Sequence, residues 1–334
     1  MTGVATLRRT FRWFRNRFAP RALILLYHRV TELPSDPQLL CVTPQHFAEH
    51  LEILRRHGRP MRLQELNRAL RNVDLAHRAV VVTFDDGYAD NLYSAKPLLD
   101  RYDVPATAFV TSGYTGHERE FWWDELERLF LQPGILPDRL RLSINGSCYE
   151  WELGEAAHYS DQDFGRHRCW NVLEKDDPSP RQRLYRSVCQ LLRPLPERAR
   201  LKALDDLLGW AGVRVMGRPT HRSLSPDEVV LLAEGRLVEI GAHTLTHPVL
   251  SALPAAEQRT EIQGSKSRLE SILRHPVTSF AYPYGSRSDY TAETVALVRD
   301  AGFTYACSNC AQVVWRGSDT FQLPRVLVRD WDGE

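Results

Sequence analysis

Two adjacent carboxylates in the chain have a type and spacing suited to metal-assisted hydrolysis. Asp85 and Asp86 follow the apolar run 80–84 and precede Gly87. Neighbouring carboxylates repel each other, so a bound cation would favour their ionised forms. Because successive strand residues alternate in direction, one carboxylate could bind the cation while the other acts as a general base. The alternative is an exposed Asp-Asp-Gly turn, a common surface feature.

A pair of histidines supplies the complementary metal ligands. His243 and His247 follow the apolar run 238–242, and their imidazoles converge if the chain makes one helical turn there. Neutral imidazole suits zinc or a similar divalent ion, and Asp86 with two histidines would leave positions open for water and substrate. Each histidine could instead be incidental or part of the core, but the aspartate pair makes a shared ligand set the better hypothesis.

A turn rich in aromatic residues forms the third candidate element. In Tyr282-Pro283-Tyr284-Gly285, a rigid proline and a permissive glycine could direct a backbone N–H into a cleft as an oxyanion donor. Taken alone, this segment would be no more than a turn.

Short apolar runs that alternate with helical periodicity must position these residues. We predict strands at 22–26, 79–83, 106–111, 238–242, 279–282, 304–307 and 322–328. We predict helices at 44–56, 91–102, 226–234, 255–273 and 291–301. Thr43 and Ser225 each precede a proline and are expected to cap their helices. The alternation indicates an α/β fold with a parallel sheet or barrel wrapped by helices.

Residues 115–220 interrupt that alternation and are predicted to form a mainly helical insertion, or cap subdomain. The segment contains Asn145-Gly146 and several prolines, with helices expected at 123–131, 181–192 and 196–212. Near its start, Trp122 or Trp123 could present an aromatic ring to a substrate and Asp124 could accept hydrogen bonds from it. The alternative is that the tryptophans begin a helix packed into the core and that Asp124 caps it.

Composition excludes little but argues against a nucleic-acid partner. The chain has 334 residues, 43 basic against 42 acidic, and a net charge of +1, so it carries no global field for a polyanion. No apolar run is long enough for a membrane span. Residues 1–20 form a basic arm in which Phe11, Phe14 and Phe18 share a helical face, suited to peripheral membrane contact or to packing on the domain. We expect a cytoplasmic protein, with membrane apposition through this arm as the variant.

Together, Thr83-Phe-Asp-Asp-Gly87, His243-Thr-Leu-Thr-His247 and Tyr282-Pro-Tyr-Gly285 resemble the polysaccharide deacetylase family, the carbohydrate esterase family that includes chitooligosaccharide deacetylases. The resemblance covers 21–114 and 221–329. It implies a distorted (β/α) barrel spanning 21–114 and 221–334. It further implies Asp85 as general base and Asp86, His243 and His247 as ligands of a divalent metal, with Zn²⁺ as first choice. The Tyr284 N–H would be the oxyanion donor.

Two departures from the family pattern relocate functional groups. The family places a Leu-x-His motif near its C-terminus, but no histidine follows His275 here; Leu26-Tyr27-His28 instead resembles circularly permuted members in which this motif comes first. We therefore assign the general acid to His28, with a buried structural histidine as the alternative. Ala281 stands where many members carry an arginine that orients the base, and Arg325 could supply that guanidinium.

The expected activity is removal of an acetyl group, N-acetyl by preference, from a saccharide, a polysaccharide or a glycan precursor. Tyr27 and Pro283 are expected to contact the acetylated saccharide together with residues 122–124. One alternative is hydrolysis of another non-peptide C–N bond on the same scaffold. The other is a carbohydrate-binding protein that has lost catalysis.

Overall fold

The computed structural model describes residues 21–72 and 74–332 of the chain. The predicted basic arm of residues 1–20 lies outside the described residues. Among the helices of the described residues, none combines the length and the apolar character needed to cross a membrane.

A twisted, mainly parallel sheet forms the centre of the fold. The strands, in chain order, are β1 Arg21–Tyr27, β2 Arg29–Val30, β3 Cys41–Val42, β4 Arg59–Pro60, β5 Ala79–Phe84, β6 Ala106–Val110, β7 Gly134–Ile135, β8 Arg139–Ile144, β9 Ser147–Glu152, β10 His158–Tyr159, β11 Val238–Ala242, β12 Ser279–Ala281, β13 Tyr305–Cys307, β14 Val314–Trp315 and β15 Val326–Leu327. The main sheet has the order β13-β12-β11-β6-β5-β1-β14, with β15 also paired to β1 and β4 to β5. All of its pairs are parallel except β1 with β14.

The C-terminal segment connects the two sides of this curled sheet. The Leu323 N–H donates to the Ala306 carbonyl of β13 at 2.9 Å, and a few residues later the Val328 N–H donates to the Leu26 carbonyl of β1 at 2.9 Å. The segment therefore closes the curl into the distorted (β/α) barrel that the sequence predicts. Arg325 lies within this closing segment, fully buried.

Ten α-helices cover the sheet and build the insertion. They are α1 Pro44–His57, α2 Leu63–Arg71, α3 Lys96–Tyr102, α4 Trp122–Phe130, α5 Asp161–His167, α6 Pro180–Leu192, α7 Glu197–Ala211, α8 Pro226–Ala233, α9 Ala255–Leu273 and α10 Ala292–Asp300, all within the described residues. A turn of π-helix at Asn91–Ala95 leads into α3. The predicted caps are confirmed, since Thr43 and Ser225 accept hydrogen bonds from backbone N–H groups of α1 and α8.

The barrel strands are buried on both faces, as expected for a parallel sheet covered by helices. All six residues of β5 are buried. Gly241 on β11 shows how tightly the interior is filled, because a Cβ there would lie 2.4 Å from the Phe109 ring. The absence of a side chain at 241 is therefore required for Phe109 to pack inside the barrel.

The region predicted as a mainly helical insertion also contains a β-hairpin that the sequence analysis did not predict. Strands β8 and β9 pair antiparallel around Asn145 and Gly146, whose φ angles are 50° and 82°. These angles suit the two-residue turn that Asn-Gly favours. The predicted helices of this region are confirmed as α4, α6 and α7, which share a second hydrophobic core with the hairpin. The division of the chain into barrel and insertion remains our prediction.

Candidate metal centre and active site

Asp85 and Asp86 leave the end of β5 in different directions. Asp85 continues the strand, and its N–H donates to the Tyr27 carbonyl of β1 at 3.0 Å. Asp86 takes a left-handed conformation with φ 73°, followed by Gly87 at φ 83°. Aspartate tolerates this conformation better than most residues. The turn therefore places two buried carboxylates side by side at the carboxyl end of the sheet.

Arg325 forms a bidentate ion pair with Asp85, the contact predicted from the replacement of the family arginine by Ala281. Its two terminal nitrogens lie 2.7 Å from Asp85 Oδ1 and Oδ2. Burial alone would raise the pKa of Asp85, but Arg325 and then His243 hold that pKa below its ordinary value. Asp85 is consequently ionised at neutral pH and available as a proton acceptor.

Asp86 lacks such a partner. Its pKa is raised well above the ordinary value, first by burial and then by the charge of Asp85. Asp86 Oδ1 is buried without a hydrogen-bond donor among the described residues. Buried carboxylate oxygens are normally satisfied, so this oxygen indicates a ligand rather than a structural contact.

His243 and His247 direct their Nε2 atoms at Asp86. The Nε2 atoms lie 3.6 Å and 3.3 Å, respectively, from Asp86 Oδ1. His243 Nδ1 donates to the Ala281 carbonyl at 2.8 Å, because a carbonyl can only accept, and this leaves Nε2 unprotonated in the neutral ring. Burial lowers the pKa of both histidines, so both favour the neutral form that binds metals.

The three ligand atoms fit a divalent cation. One atom each from Asp86, His243 and His247 lies within 4.8 Å of the other two, the only such group found among the described residues. Ligands about 2.0 to 2.1 Å from a tetrahedral zinc ion would stand roughly 3.3 Å apart, close to the separations found here. The donor set and the unsatisfied Asp86 oxygen both match this requirement.

The loop between the two histidines is fixed from both sides. Glu261 on α9 accepts the N–H groups of Leu245 and Thr246, each at 2.9 Å. Arg200 on α7 donates to the Thr246 carbonyl at 2.8 Å. Sequence reasoning missed both residues, because each lies on an amphipathic helix far along the chain and nothing in its local pattern distinguishes it.

His28 and Tyr284 lie beside the proposed metal ligands at the carboxyl end of the barrel. His28 is half-buried beside the carboxylates, and burial lowers its pKa to about 4 even though Asp85 opposes that shift. Tyr284 has a φ of 59°, and its ring contacts that of His247 with centroids 4.7 Å apart. Its backbone N–H donates to no acceptor among the described residues. Unusual φ angles at Asp86 and Tyr284 are typical of functional sites, where surrounding packing maintains them.

These residues line one side of a cleft of about 410 Å³. Its wall includes residues of the predicted site, of the insertion and of two later barrel loops: His28, Asp85, Asp86, His243, His247, Tyr284, Trp122, Trp123, Arg186, Arg193, Asp289 and Arg329. Trp122 and Trp123 begin α4 and are only 4% and 5% exposed, so they are core residues that also present an edge to the cleft. Trp123 packs on His247 with centroids 5.1 Å apart.

Three residues expected to contact substrate do not line this cleft. Tyr27 is 1% exposed and packs against Phe47 and Phe84 in the barrel core. Pro283 is buried behind the Tyr284 turn. Asp124 accepts a hydrogen bond from the Tyr88 hydroxyl at 2.7 Å. The reason is the same in each case: a residue next to a cleft residue along the chain projects into the packed interior.

Comparisons with known proteins agree with this arrangement. Residues 72–135 and 209–306 match the family model described as polysaccharide deacetylase. The match includes Asp85, Asp86, His243, His247 and Tyr284 and does not extend to His28 or Arg325, and the roles of all seven residues remain proposals. The circularly permuted order of the motifs stays a prediction.

A curated relative and two solved structures are similar to the chain. A 153-residue match, 27% identical, relates it to "Putative polysaccharide deacetylase YxkH" of Bacillus subtilis (strain 168); it covers 44% of this chain and about half, 53%, of that protein. The Streptococcus pyogenes deacetylase PplD, solved in complex with acetate, superposes with a TM-score of 0.58 at 17% identity, covering 93% of this chain and 94% of that one. IcaB from Ammonifex degensii superposes with a TM-score of 0.57 at 19% identity, covering 92% of both chains. At these identities the structures show the shared fold.

Proposed function

We propose that the chain, whose residues 72–135 and 209–306 match the polysaccharide deacetylase family model, is a metal-dependent hydrolase that removes an acetyl group, N-acetyl by preference, from a saccharide, a polysaccharide or a glycan precursor. The observation that carries this proposal is the meeting of Asp86, His243 and His247 beside an ionised Asp85 at one end of the barrel. Residues more than 150 positions apart in the chain contribute to this site.

Asp86, His243 and His247 would hold the divalent cation, with Zn²⁺ as the first choice for two imidazoles and a carboxylate. When bound, such a cation polarises a carbonyl and lowers the pKa of water. It would also give the Asp86 carboxylate a positively charged partner. The remaining steps belong to side chains and backbone of this chain.

Asp85 would accept the proton of the attacking water. Its carboxylate lies at the edge of the same site, with Oδ2 3.8 Å from His243 Nε2. Arg325 keeps it ionised and fixes its orientation through two parallel hydrogen bonds. General base catalysis of this kind contributes roughly 10² to 10⁴ in rate.

His28 would donate the proton to the departing amine. Its lowered pKa leaves His28 neutral at pH 7, so it would first gain a proton within the site, which Asp85 favours most among its neighbours, and then pass that proton to the amine. The Tyr284 N–H, which has no acceptor among the described residues, would stabilise the oxyanion. Loss of one such donor costs about 10² to 10³ in rate.

The aromatic edges in the cleft favour a saccharide over a cyclic amide as substrate. Trp122, Trp123 and Tyr284 all line a space of about 410 Å³ that opens to solvent, where their edges offer apolar contact to a sugar ring. Hydrolysis of another C–N bond and sugar binding without turnover are the competing functions. Both predict no release of acetate.

The test combines metal analysis with acetate release over a panel of N- and O-acetylated saccharides. We expect one divalent ion per chain and acetate release that a chelator abolishes and Zn²⁺ restores. Asp86→Ala should lose both metal and activity, whereas Asp300→Ala, which removes an exposed carboxylate at the end of α10, should retain both. A metal-free protein that releases acetate at the full rate would overturn the proposal.

A further inference from the structure

Three arginines line the cleft away from the proposed metal ligands. Arg186 and Arg193 come from the insertion, on α6 and just after it, while Arg329 follows β15 and lies near His28. Nothing in the proposed hydrolysis uses any of them. Three guanidinium groups in one sugar-sized cleft raise the question of what they neutralise.

Two of the three have carboxylate partners. Arg193 lies 2.7 Å from Asp289, and its guanidinium covers the Tyr284 ring at 4.4 Å. Arg186 lies 2.8 Å from Asp177 and also donates to two backbone carbonyls. These two arginines are accounted for by contacts within the protein.

Arg329 has no such partner. It is half-buried and donates to the Leu39 carbonyl, and it forms no ion pair within the described ranges 21–72 and 74–332. The carboxylate with the largest effect on its pKa is that of Asp36, whose oxygens are already bonded to the Leu40 and Cys41 N–H groups at 3.0 Å and 2.8 Å. Burial lowers the pKa of Arg329, and Asp36 opposes that shift.

The cleft therefore carries one positive side chain in excess. Asp85 is paired with Arg325 and Asp289 with Arg193, while Asp86 would bind the proposed divalent cation, whose charge exceeds that of one carboxylate. A guanidinium offers five N–H donors, and one carbonyl satisfies few of them. If Arg329 only anchored the loop at Leu39, a neutral donor would serve as well without the cost of desolvating a charge.

We infer that the substrate is an anionic saccharide, and that Arg329 binds an anionic group adjoining the sugar unit that loses acetyl, either a carboxylate on the next sugar or a phosphate ester of the acetylated sugar. This inference rests on the proposed function and specifies its substrate class. Guanidinium is the side chain best matched to the two oxygens of either group. Its position near His28 would place that anion beside the leaving-group side of the site.

The first test compares acidic and neutral substrates of one size. The probes are a disaccharide of glucuronate and N-acetylglucosamine and its galactose counterpart, with acetate release as the readout. Arg329→Gln should raise KM for the acidic probe by about 10- to 100-fold, the range for a lost charge-assisted bond, and leave the neutral probe within about twofold. Arg329→Lys should restore part of the difference.

A matched control separates this effect from the general charge of the protein. Arg316 is exposed beside β14, which pairs with the opposite end of β1 from His28. Arg316→Gln makes the same charge change and should alter neither probe. Equal KM values for the acidic and neutral probes with wild-type protein, unchanged by Arg329→Gln, would overturn the inference while leaving the deacetylase proposal intact.

Equilibrium binding keeps the inference testable without turnover. Calorimetric titration with the deacetylated acidic disaccharide should show weaker binding to Arg329→Gln than to wild type, and the neutral disaccharide should show no difference. Titration with N-acetylglucosamine 1-phosphate against N-acetylglucosamine distinguishes a phosphate from a carboxylate as the preferred anion. If wild-type protein prefers neither anion over its neutral counterpart, Arg329 is a loop anchor only.

Discussion

In the insertion, the buried Arg181 guanidinium donates to the carbonyls of Phe130, Gly134, Ala156 and Ala157, at distances of 2.7 to 3.3 Å. At the carboxyl end of the barrel, the equally buried Asp86 has an oxygen with no donor among the described residues. Both side chains are buried and ionisable, but only Arg181 is surrounded by hydrogen-bond partners from the protein.

The difference indicates which buried polar groups stabilise the fold and which are kept for a ligand. A satisfied charge organises its surroundings, and removing it leaves its partners unpaired. An unsatisfied charge lowers stability in the absence of the ligand it binds. Arg181 and Asp86 therefore predict opposite responses of stability and activity to substitution.

The largest expected effect is on activity at Asp86. Asp86→Asn should lower kcat/KM by at least about 10³-fold. The loss of a proposed metal ligand should remove more transition-state stabilisation than the loss of one oxyanion donor. Since burial raises the pKa of Asp86, the folded state disfavours its charged form at pH 7, so the metal-free variant should be at least as stable as wild type. Steady-state kinetics and denaturant unfolding in chelator measure the two effects. A variant that is destabilised yet active would reverse the comparison.

Substitution of Arg181 should give the converse result. Arg181→Met leaves buried carbonyls without donors and should lower the free energy of unfolding by about 3 kcal/mol. The folded fraction should keep its kcat, because Arg181 does not line the cleft. Urea unfolding and activity per folded molecule test this. A loss of kcat without loss of stability would show that the insertion's buried charges also serve the reaction.

Arg325 combines the two kinds of buried group, because it satisfies the charge of Asp85, which we propose as the general base. Arg325→Met should raise the pKa of Asp85, so the base is protonated at higher pH and the acid limb of the kcat/KM profile moves upward. The rate at pH 7 should fall by about 10²-fold, within the range of general base catalysis. Arg325→Lys should move the limb less. An unmoved acid limb in Arg325→Met would exclude Asp85 as the titrating base.

The smallest expected effect concerns His221, a buried histidine outside the proposed site. Burial, Arg218 and Arg29 lower its pKa to about 2, so below pH ~6.5 the unfolded chain binds a proton that the folded chain does not. Its contribution to stability is therefore lost as pH falls from neutral. Between pH 7 and pH 5, the free energy of unfolding of His221→Asn should rise by roughly 1 to 2 kcal/mol relative to that of wild type. If the free energies of unfolding of wild type and His221→Asn changed with pH in parallel, His221 would be protonated in the folded state.

The sequence predicted the strand ends and the meeting of the metal ligands, because continuous apolar runs that stop at polar residues are informative by themselves. The spacing of His243 and His247 limited the local geometry, and the absence of an arginine at 281 led to Arg325. The predicted strands and helices of the barrel are confirmed, except that the strand expected at 322–328 is limited to Val326–Leu327. The catalytic roles remain proposals.

Other features of the molecule depend on sequence signals that are ambiguous or on contacts that are not local. Residues 139–144 alternate buried and exposed, and Asn145-Gly146 favours a hairpin turn, yet the pair was interpreted as a loop signal. Glu261, Arg193 and Arg329 enter the site only through tertiary packing, so no pattern in their neighbourhoods identifies them. Tyr27, Asp124 and Pro283 each adjoin a cleft residue along the chain, which favours substrate contact in the sequence. Strand alternation and turns direct their side chains into the packed interior instead.

X-ray absorption at the zinc edge of the loaded protein tests the central claim most directly. The account predicts two imidazole nitrogens and a carboxylate oxygen at about 2.0 to 2.2 Å, with one imidazole lost in His247→Ala. A shell containing sulfur at about 2.3 Å, or one unchanged by His247→Ala, would contradict it.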